Sequence, residues 1–282
     1  MNDDESMLNL EKISRLIPEV IAIANMASLS IIKIYNDFDS ADETLIKHKS
    51  DHSPLTLADL ASNQAIIDGL SRLTPEIPII SEEVEASFRL GGAHKIFWLI
   101  DPLDGTKEFI ARNGEFTVNI ALIQDGYPVF GVVQSPLQGK VYWGGKNLGA
   151  FRKSENTTQE IFVAADIQGN ERPYRIVVSR SHMNDMTARI IKKLHAYEIM
   201  SAGSSLKLCL VAEGSADLYP RLGPTCEWDT AAAQAVVEGA GGFVYNLVGE
   251  RIRYGKSDIL NPYFIAASAP FQAYDLNTDD TH

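Results

Sequence analysis

Four acidic residues stand where the chain changes character: Glu82 just after the apolar pair Ile79-Ile80, Asp101 and Asp104 just after the apolar run 96–100, and Asp229 at the opening of a helical stretch. Carboxylates at strand ends and helix starts are accessible yet held by rigid elements, and such hard oxygen ligands suit Mg²⁺. Asp101 and Asp104 lie three residues apart across a turn that Pro102 and Gly105 should force. Each can then face one of two adjacent cations, and the Leu103 carbonyl can also point inward. That pattern fits two-metal phosphoryl chemistry, in which cations polarise a phosphate, lower the pKa of a water and stabilise the leaving oxygen. Taken singly, each carboxylate also fits a plainer role: Asp229 an N-cap, Asp104-Gly105 a turn, Glu82 a solvated strand end. Glu83 and Asp51 are read in that plainer way.

The elements that must position these groups follow from periodicity. Apolar residues at helical spacing predict a long amphipathic helix over 7–37 and a second over 57–70. Short buried strands are expected at 79–80 and 96–100, each delivering acid at its end. β-like runs at 116–123 and 128–134 flank Gln124-Asp125-Gly126-Tyr127, a hairpin, and 140–143 with 149–152 make another pair. The polar residues 153–160 read as a loop. Beyond it the pattern becomes α/β, with a strand at 175–179 and helices at 186–194, 204–212 and 231–238, the last closed by Gly239-Ala240-Gly241-Gly242. Two lobes are expected, 1–154 and 155–282, with a frayed tail over 275–282.

At 282 residues and 45% hydrophobic content the chain can bury a sizeable core. Its net charge of -12 and pI near 4.9 argue against a surface for long nucleic acid, which needs clustered Lys and Arg. The same charge would repel an anionic small substrate unless cations reverse the potential locally. Two cysteines without CxxC spacing suggest neither a disulfide framework nor a zinc site, but reduced thiols in the cytoplasm. The acidic N-terminus is no secretory signal, and no apolar stretch is expected to reach the ~20 residues of a transmembrane span. Peripheral association with the cytoplasmic face of the inner membrane stays open, although no basic amphipathic helix offers to drive it.

Residues 100–106, Ile-Asp-Pro-Leu-Asp-Gly-Thr, and 228–233, Trp-Asp-Thr-Ala-Ala-Ala, resemble the two signatures of the inositol monophosphatase family. With Ser81-Glu82-Glu83 they stand in that family's order and spacing, and the resemblance runs from about residue 10 to 270. It implies an α+β fold layered αβαβα and a Mg²⁺ centre of two or three ions on Glu82, Asp101, the Leu103 carbonyl, Asp104 and Asp229. It further implies Asp59, in Thr56-Leu57-Ala58-Asp59, and Thr106 as the pair that activates water. Thr106 Oγ would accept a hydrogen bond from the water while donating its own to Asp59. Without the resemblance these two read as an exposed helix residue and a turn hydroxyl. Glu82, Leu103, Asp104, Gly105, Thr106 and Asp229 would also border the substrate.

Within the family, stretches 49–59, 101–119 and 203–221 resemble CysQ-type 3′(2′),5′-bisphosphate nucleotidases, the telling detail being Lys107-Glu108-Phe109-Ile110 after Asp-Gly-Thr. Such enzymes contact nucleotide through a Ser and Lys three apart, an Arg fourteen residues on, and an upstream Ser-x-His; Ser204, Lys207, Arg221 and His182 match. The implied reaction converts adenosine 3′,5′-bisphosphate to AMP and phosphate, clearing a by-product of sulfate assimilation. Lys207 and Arg221 would neutralise the remaining 5′-phosphate; their plainer reading is surface charge, and that of His182 a loop histidine. The resemblance also implies Li⁺ inhibition, a loop around Lys49 and Asp51 closing over the metals, and a monomer or homodimer. Inositol monophosphates and fructose 1,6-bisphosphate are the alternative substrates. A non-catalytic nucleotide sensor is a further alternative, opposed by the retention of Asp59 and Thr106.

Overall fold

The computed structural model describes residues 8–37, 46–48, 54–90, 93–165, 172–180, 184–194 and 196–270. The loop around Lys49 and Asp51, His182 and the tail 275–282 lie outside them.

Two helices begin the chain, α1 (Leu10–Asp37) and α2 (Leu57–Leu73), separated by a short antiparallel pair, β1 (Ile46–His48) and β2 (Pro54–Thr56). A seven-stranded sheet follows in the order β3 (Ile79–Ser81), β4 (Ile96–Asp104), β5 (Thr117–Gln124), β6 (Tyr127–Ser135), β7 (Lys140–Gly145), β8 (Gly149–Ser154) and β9 (Thr157–Glu160), with α3 (Thr106–Ile110) after β4. Only β3–β4 is parallel; the rest is a meander of hairpins. In the turn between β5 and β6, Asp125 and Gly126 both have positive φ (53° and 81°), the two-residue geometry that matches strand twist.

The remaining elements are β10 (Tyr174–Ser179), α4 (Asp185–Lys192), β11 (Tyr197–Ala202), α5 (Leu206–Ala212), β12 (Leu218–Arg221), α6 (Ala231–Gly239), β13 (Phe243–Asn246) and β14 (Phe264–Ala267). Their strands form a five-stranded sheet ordered β11-β10-β12-β14-β13.

Strand alternation divides the core into three seams. Trp98, Ile100, Val118, Ile120 and Val132 face Ile13, Val20, Ala24, Ile31, Ile66 and Leu70 of α1 and α2. Phe97, Leu99, Ala121, Val133 and Tyr142 face the opposite way and meet Leu208, Val211, Ala232 and Val236 of α5 and α6. Those helices also take Val177, Tyr219, Val244 and Phe264 from the five-stranded sheet, whose other face packs Ile176, Val178 and Ile265 against Ile190 and Ile191 of α4. The layers are thus helix, sheet, helix, sheet, helix.

Several features differ from the sequence reading. The expected turn over 101–106 is strand as far as Asp104: β4 keeps pairing with β5 through a register shift between Asp101 and Asp104, and the chain turns only at Gly105, with φ 94°. Residues 157–160, read as loop, form the exposed edge strand β9, so the first sheet extends beyond residue 154. Finally, α1 is long and apolar enough to span a membrane by composition, its most apolar stretch having a mean hydropathy of 1.6. Pro18 within it and one face packed on α2 and the sheet mark it here as a layer of the fold.

Candidate active site

The cleft lies where the two sheets and the buried helices meet. Its lining includes Glu82, Asp104, Gly105, Thr106, Ser204, Ser205, Lys207, Tyr219, Arg221 and Asp229, around a volume of about 340 Å³.

β3 and β4 run parallel, and the Glu82 N–H continues their ladder by donating to the Ile100 carbonyl (3.2 Å), so Glu82, just past the end of β3, lies alongside Asp101 within β4. Asp101 Oδ1 accepts the Leu103 N–H (3.0 Å), and the Pro102 carbonyl accepts Ser62 Oγ of α2 (2.6 Å); these bonds hold the irregular end of β4. Asp229 arrives from the other half, on a 3₁₀ turn (Glu227–Asp229) ahead of α6, its Oδ2 accepting the Cys226 N–H (2.8 Å). Phe88 stacks on Trp228 with centroids 4.9 Å apart, tying the segment after Glu82 to the segment bearing Asp229. One oxygen each of Glu82, Asp101 and Asp229 lies within 4.8 Å of the others.

Asp104 borders the same cleft, with Oδ2 accepting the Ser205 N–H (2.6 Å). Burial pushes its carboxyl up to about 6, against the opposing pull of Lys207 and the Ser205 N–H. Burial, and then the nearby Asp104 and Glu82, raise Asp229 well above the carboxylate range. Carboxylates this crowded and desolvated repel one another, and a divalent cation is the partner that would let all of them ionise. The donor set, all oxygen, fits a hard cation such as Mg²⁺.

Thr106, the first residue of α3, donates from Oγ1 to Asp59 Oδ1 (3.0 Å) and lies 3.4 Å from the Leu103 carbonyl. Asp59 is buried rather than exposed, because Thr56 caps α2: Asp59 Oδ2 accepts both the Thr56 N–H (2.7 Å) and its hydroxyl (2.6 Å). In the same cleft, Lys207 is only 6% exposed; its Nζ donates to the Ser204 carbonyl (2.5 Å), and burial lowers it to about 8 even though Asp104 pulls it up. Arg221 donates from Nη2 to the Pro224 carbonyl (2.8 Å), and its buried Nε has no hydrogen-bond partner among the described residues. Ser204, in a left-handed conformation (φ 46°), turns the chain into α5.

Apart from His182, outside the described residues, every site residue read from the sequence therefore borders this cleft, bonds to a residue that does or, as with Asp101, has a carboxylate oxygen within 4.8 Å of two that do. Several residues around it were not singled out from the sequence: Ser205, the Phe88–Trp228 stack, and Glu115, which accepts two bonds from Arg180 (3.0 and 2.7 Å) and one from the Gly203 N–H (2.8 Å). Thr56 carried a readable signal, because Thr-x-x-Asp before a helix is a capping-box pattern. The others depend on contacts between distant segments.

The family model described as "Inositol monophosphatase family" matches residues 13–278. The chain belongs to the inositol monophosphatase family. Among family members, the 3′(2′),5′-bisphosphate nucleotidase CysQ of Salmonella typhimurium is 42% identical over 250 residues, covering 88% of this chain and 98% of that protein. The crystal structure of CysQ from Bacteroides thetaiotaomicron superimposes with a TM-score of 0.79 at 39% identity, over 93% of this chain and 100% of the other. An inositol monophosphatase from Anabaena shares the fold at a TM-score of 0.71 and 21% identity, over 95% of each chain.

Proposed function

We propose that this chain is a Mg²⁺-dependent 3′(2′),5′-bisphosphate nucleotidase that converts adenosine 3′,5′-bisphosphate to AMP and phosphate. The observation that carries the reading is the pairing, in one cleft, of an acidic cluster fit for cations with two basic side chains, Lys207 and Arg221. A substrate with one phosphate would need only the first; a second phosphate explains both. The similarity to CysQ proteins over nearly the whole chain favours this substrate over inositol monophosphates or fructose 1,6-bisphosphate.

Glu82, Asp101, Asp104, Asp229 and the Leu103 carbonyl would hold Mg²⁺, which would supply positive charge against the phosphate oxygens and lower the pKa of water. The chain's own residues do the rest. Thr106 donates its hydroxyl proton to Asp59 and so presents Oγ1 lone pairs to the cleft, where they can accept a hydrogen bond from water and aim its oxygen at phosphorus. Asp59, held from behind by Thr56, keeps that hydroxyl oriented and stands ready to receive a proton. As the water oxygen bonds to phosphorus, the bond from phosphorus to the 3′ oxygen breaks, and that oxygen takes up a proton to become the hydroxyl of AMP. Lys207 and Arg221, with the Arg221 Nε donor unused, would bind the 5′-phosphate and fix the nucleotide's direction. A buried thiol at Cys209 is compatible with a reducing cytoplasm as the setting.

The test is a comparison of Lys207→Ala and Arg221→Ala on adenosine 3′,5′-bisphosphate and adenosine 3′-monophosphate. The reading expects each variant to raise KM for the bisphosphate by about tenfold or more while changing that for the monophosphate little, as for loss of a charged hydrogen bond. Equal losses on both substrates would contradict it.

A further inference from the structure

Thr117 and Asn119 on β5 are fully buried and stand across the strand pair from two of the proposed metal ligands: Asp104 pairs with Thr117 and Asp101 with Asn119. Between them sits a residue of the other half of the molecule. Ser205 Oγ is 2.8 Å from Thr117 Oγ1 and 2.8 Å from Asn119 Oδ1. The amide oxygen of Asn119 can only accept, so Ser205 donates to it, and the Thr117 hydroxyl must then donate to Ser205. In this orientation of the amide, which leaves Asn119 Nδ2 buried without a hydrogen-bond partner among the described residues, the protons run from Thr117 to Ser205 to Asn119.

The backbone of the same serine holds Asp104, its N–H donating to Oδ2 at 2.6 Å. One buried residue therefore grips both β5 by its side chain and a carboxylate of the cleft by its main chain. That bond fixes the rotation of the Asp104 carboxylate at the cleft. Ser205 also precedes α5, so its position sets that of Lys207 two residues on. Because a buried hydroxyl without partners costs more than its hydrogen bond returns, the three groups lock together or not at all.

We propose that Ser205 is a positioning residue, whose hydroxyl, clamped between Thr117 and Asn119, fixes its N–H on Asp104 and so presets one carboxylate oxygen and Lys207 for the metal-bound substrate. This inference rests on the functional reading above for its catalytic consequence. Its structural part concerns Mg²⁺ binding alone.

The experiment is calorimetric titration of the full-length protein with Mg²⁺, alongside steady-state turnover, for Thr117→Val, Thr117→Ser, Ser205→Ala and the double variant Thr117→Val/Ser205→Ala. Thr117→Val keeps the shape and removes the donor, and Thr117→Ser restores the hydroxyl. The inference expects Thr117→Val and Ser205→Ala each to weaken Mg²⁺ binding and lower kcat by about threefold to tenfold, as for a buried hydrogen bond. It expects Thr117→Ser to recover most of both, and the double variant to be no worse than Ser205→Ala alone, since the two hydroxyls act as one unit. Wild-type Mg²⁺ affinity in Ser205→Ala, equal losses in the Val and Ser variants, or additive losses would overturn it. Should Thr117→Val fail to fold, Ser205→Ala, which leaves the backbone donor intact, decides the question. Failure of the wild-type protein to hydrolyse the nucleotide would refute the functional reading, while the Mg²⁺ titrations would still decide this one.

Discussion

The two oxygens of Asp59 face different partners: Oδ2 takes the N–H and hydroxyl of Thr56, and Oδ1 takes the hydroxyl of Thr106. Replacing Asp59 with Asn keeps an acceptor for the cap but loses the base. Turnover should fall by about 10²- to 10⁴-fold, with unfolding in urea changed by no more than about 1–2 kcal/mol. Rapid phosphate-release kinetics and urea titration read the two effects, and turnover within tenfold of wild type would count against Asp59. The cleft should also show a two-sided pH profile. Protonation of Asp104 below about pH 6 competes with Mg²⁺, so Mg²⁺ binding should weaken by up to about tenfold per pH unit there. Above about pH 8 Lys207 loses its proton and its charge, so KM for the bisphosphate should rise while Arg221 keeps a residual affinity. Isothermal titration across pH 5–7 and KM across pH 7–10 measure the two limbs. At this scale the carboxylates were legible because each adjoins a run whose period announces an element. Ser205 was not, because its partners Thr117 and Asn119 lie far away in sequence and only the packing of α5 against β5 brings them together.

Among the elements, α6 sits close against the first sheet. A Cβ on Gly131 of β6 would lie 2.2 Å from the carbonyl oxygen of Ala232, so this glycine is what lets the helix approach the sheet. Gly131→Ala should push α6 away, costing about 1–3 kcal/mol of stability by overpacking. It should also weaken Mg²⁺ binding, because Asp229 stands just ahead of that helix. Loss of stability with unchanged Mg²⁺ affinity would show that Asp229 is positioned independently of α6. The helices and the β5–β6 hairpin were readable from period and turn chemistry. The continuation of β4 through Pro102 was not, since a Pro-Gly segment reads as a turn until β5 pairs with it and a bulge absorbs the irregularity. The short strands β11, β13 and β14 also escaped the sequence reading: four to six residues carry little periodicity, and their pairing is long-range.

For the whole molecule, a net charge of -12 combined with clustered, buried or half-buried carboxylates means that the fold pays an electrostatic cost in the absence of cations. Mg²⁺ should therefore stabilise the native state, by about 2.7 kcal/mol at a concentration one hundred times its Kd. Melting curves with Mg²⁺ and with chelator test this, and coincident curves would contradict it. The five layers explain why the site could be read as a set of residues but not as a place. Glu82 follows one strand of the first sheet and Asp101 lies within its neighbour, Lys207 and Asp229 belong to the helical layer between the sheets, and Arg221 ends a strand of the second. Only the stacking of those layers makes one cleft of them. The central claim is tested most directly by phosphate release from adenosine 3′,5′-bisphosphate, inositol 1-phosphate and fructose 1,6-bisphosphate side by side, each with Mg²⁺ and with chelator. The account predicts release that requires Mg²⁺, with kcat/KM for the nucleotide at least about tenfold higher, roughly 1.4 kcal/mol of transition-state discrimination. Equal or better turnover of either sugar phosphate, or release undiminished by chelator, would contradict it.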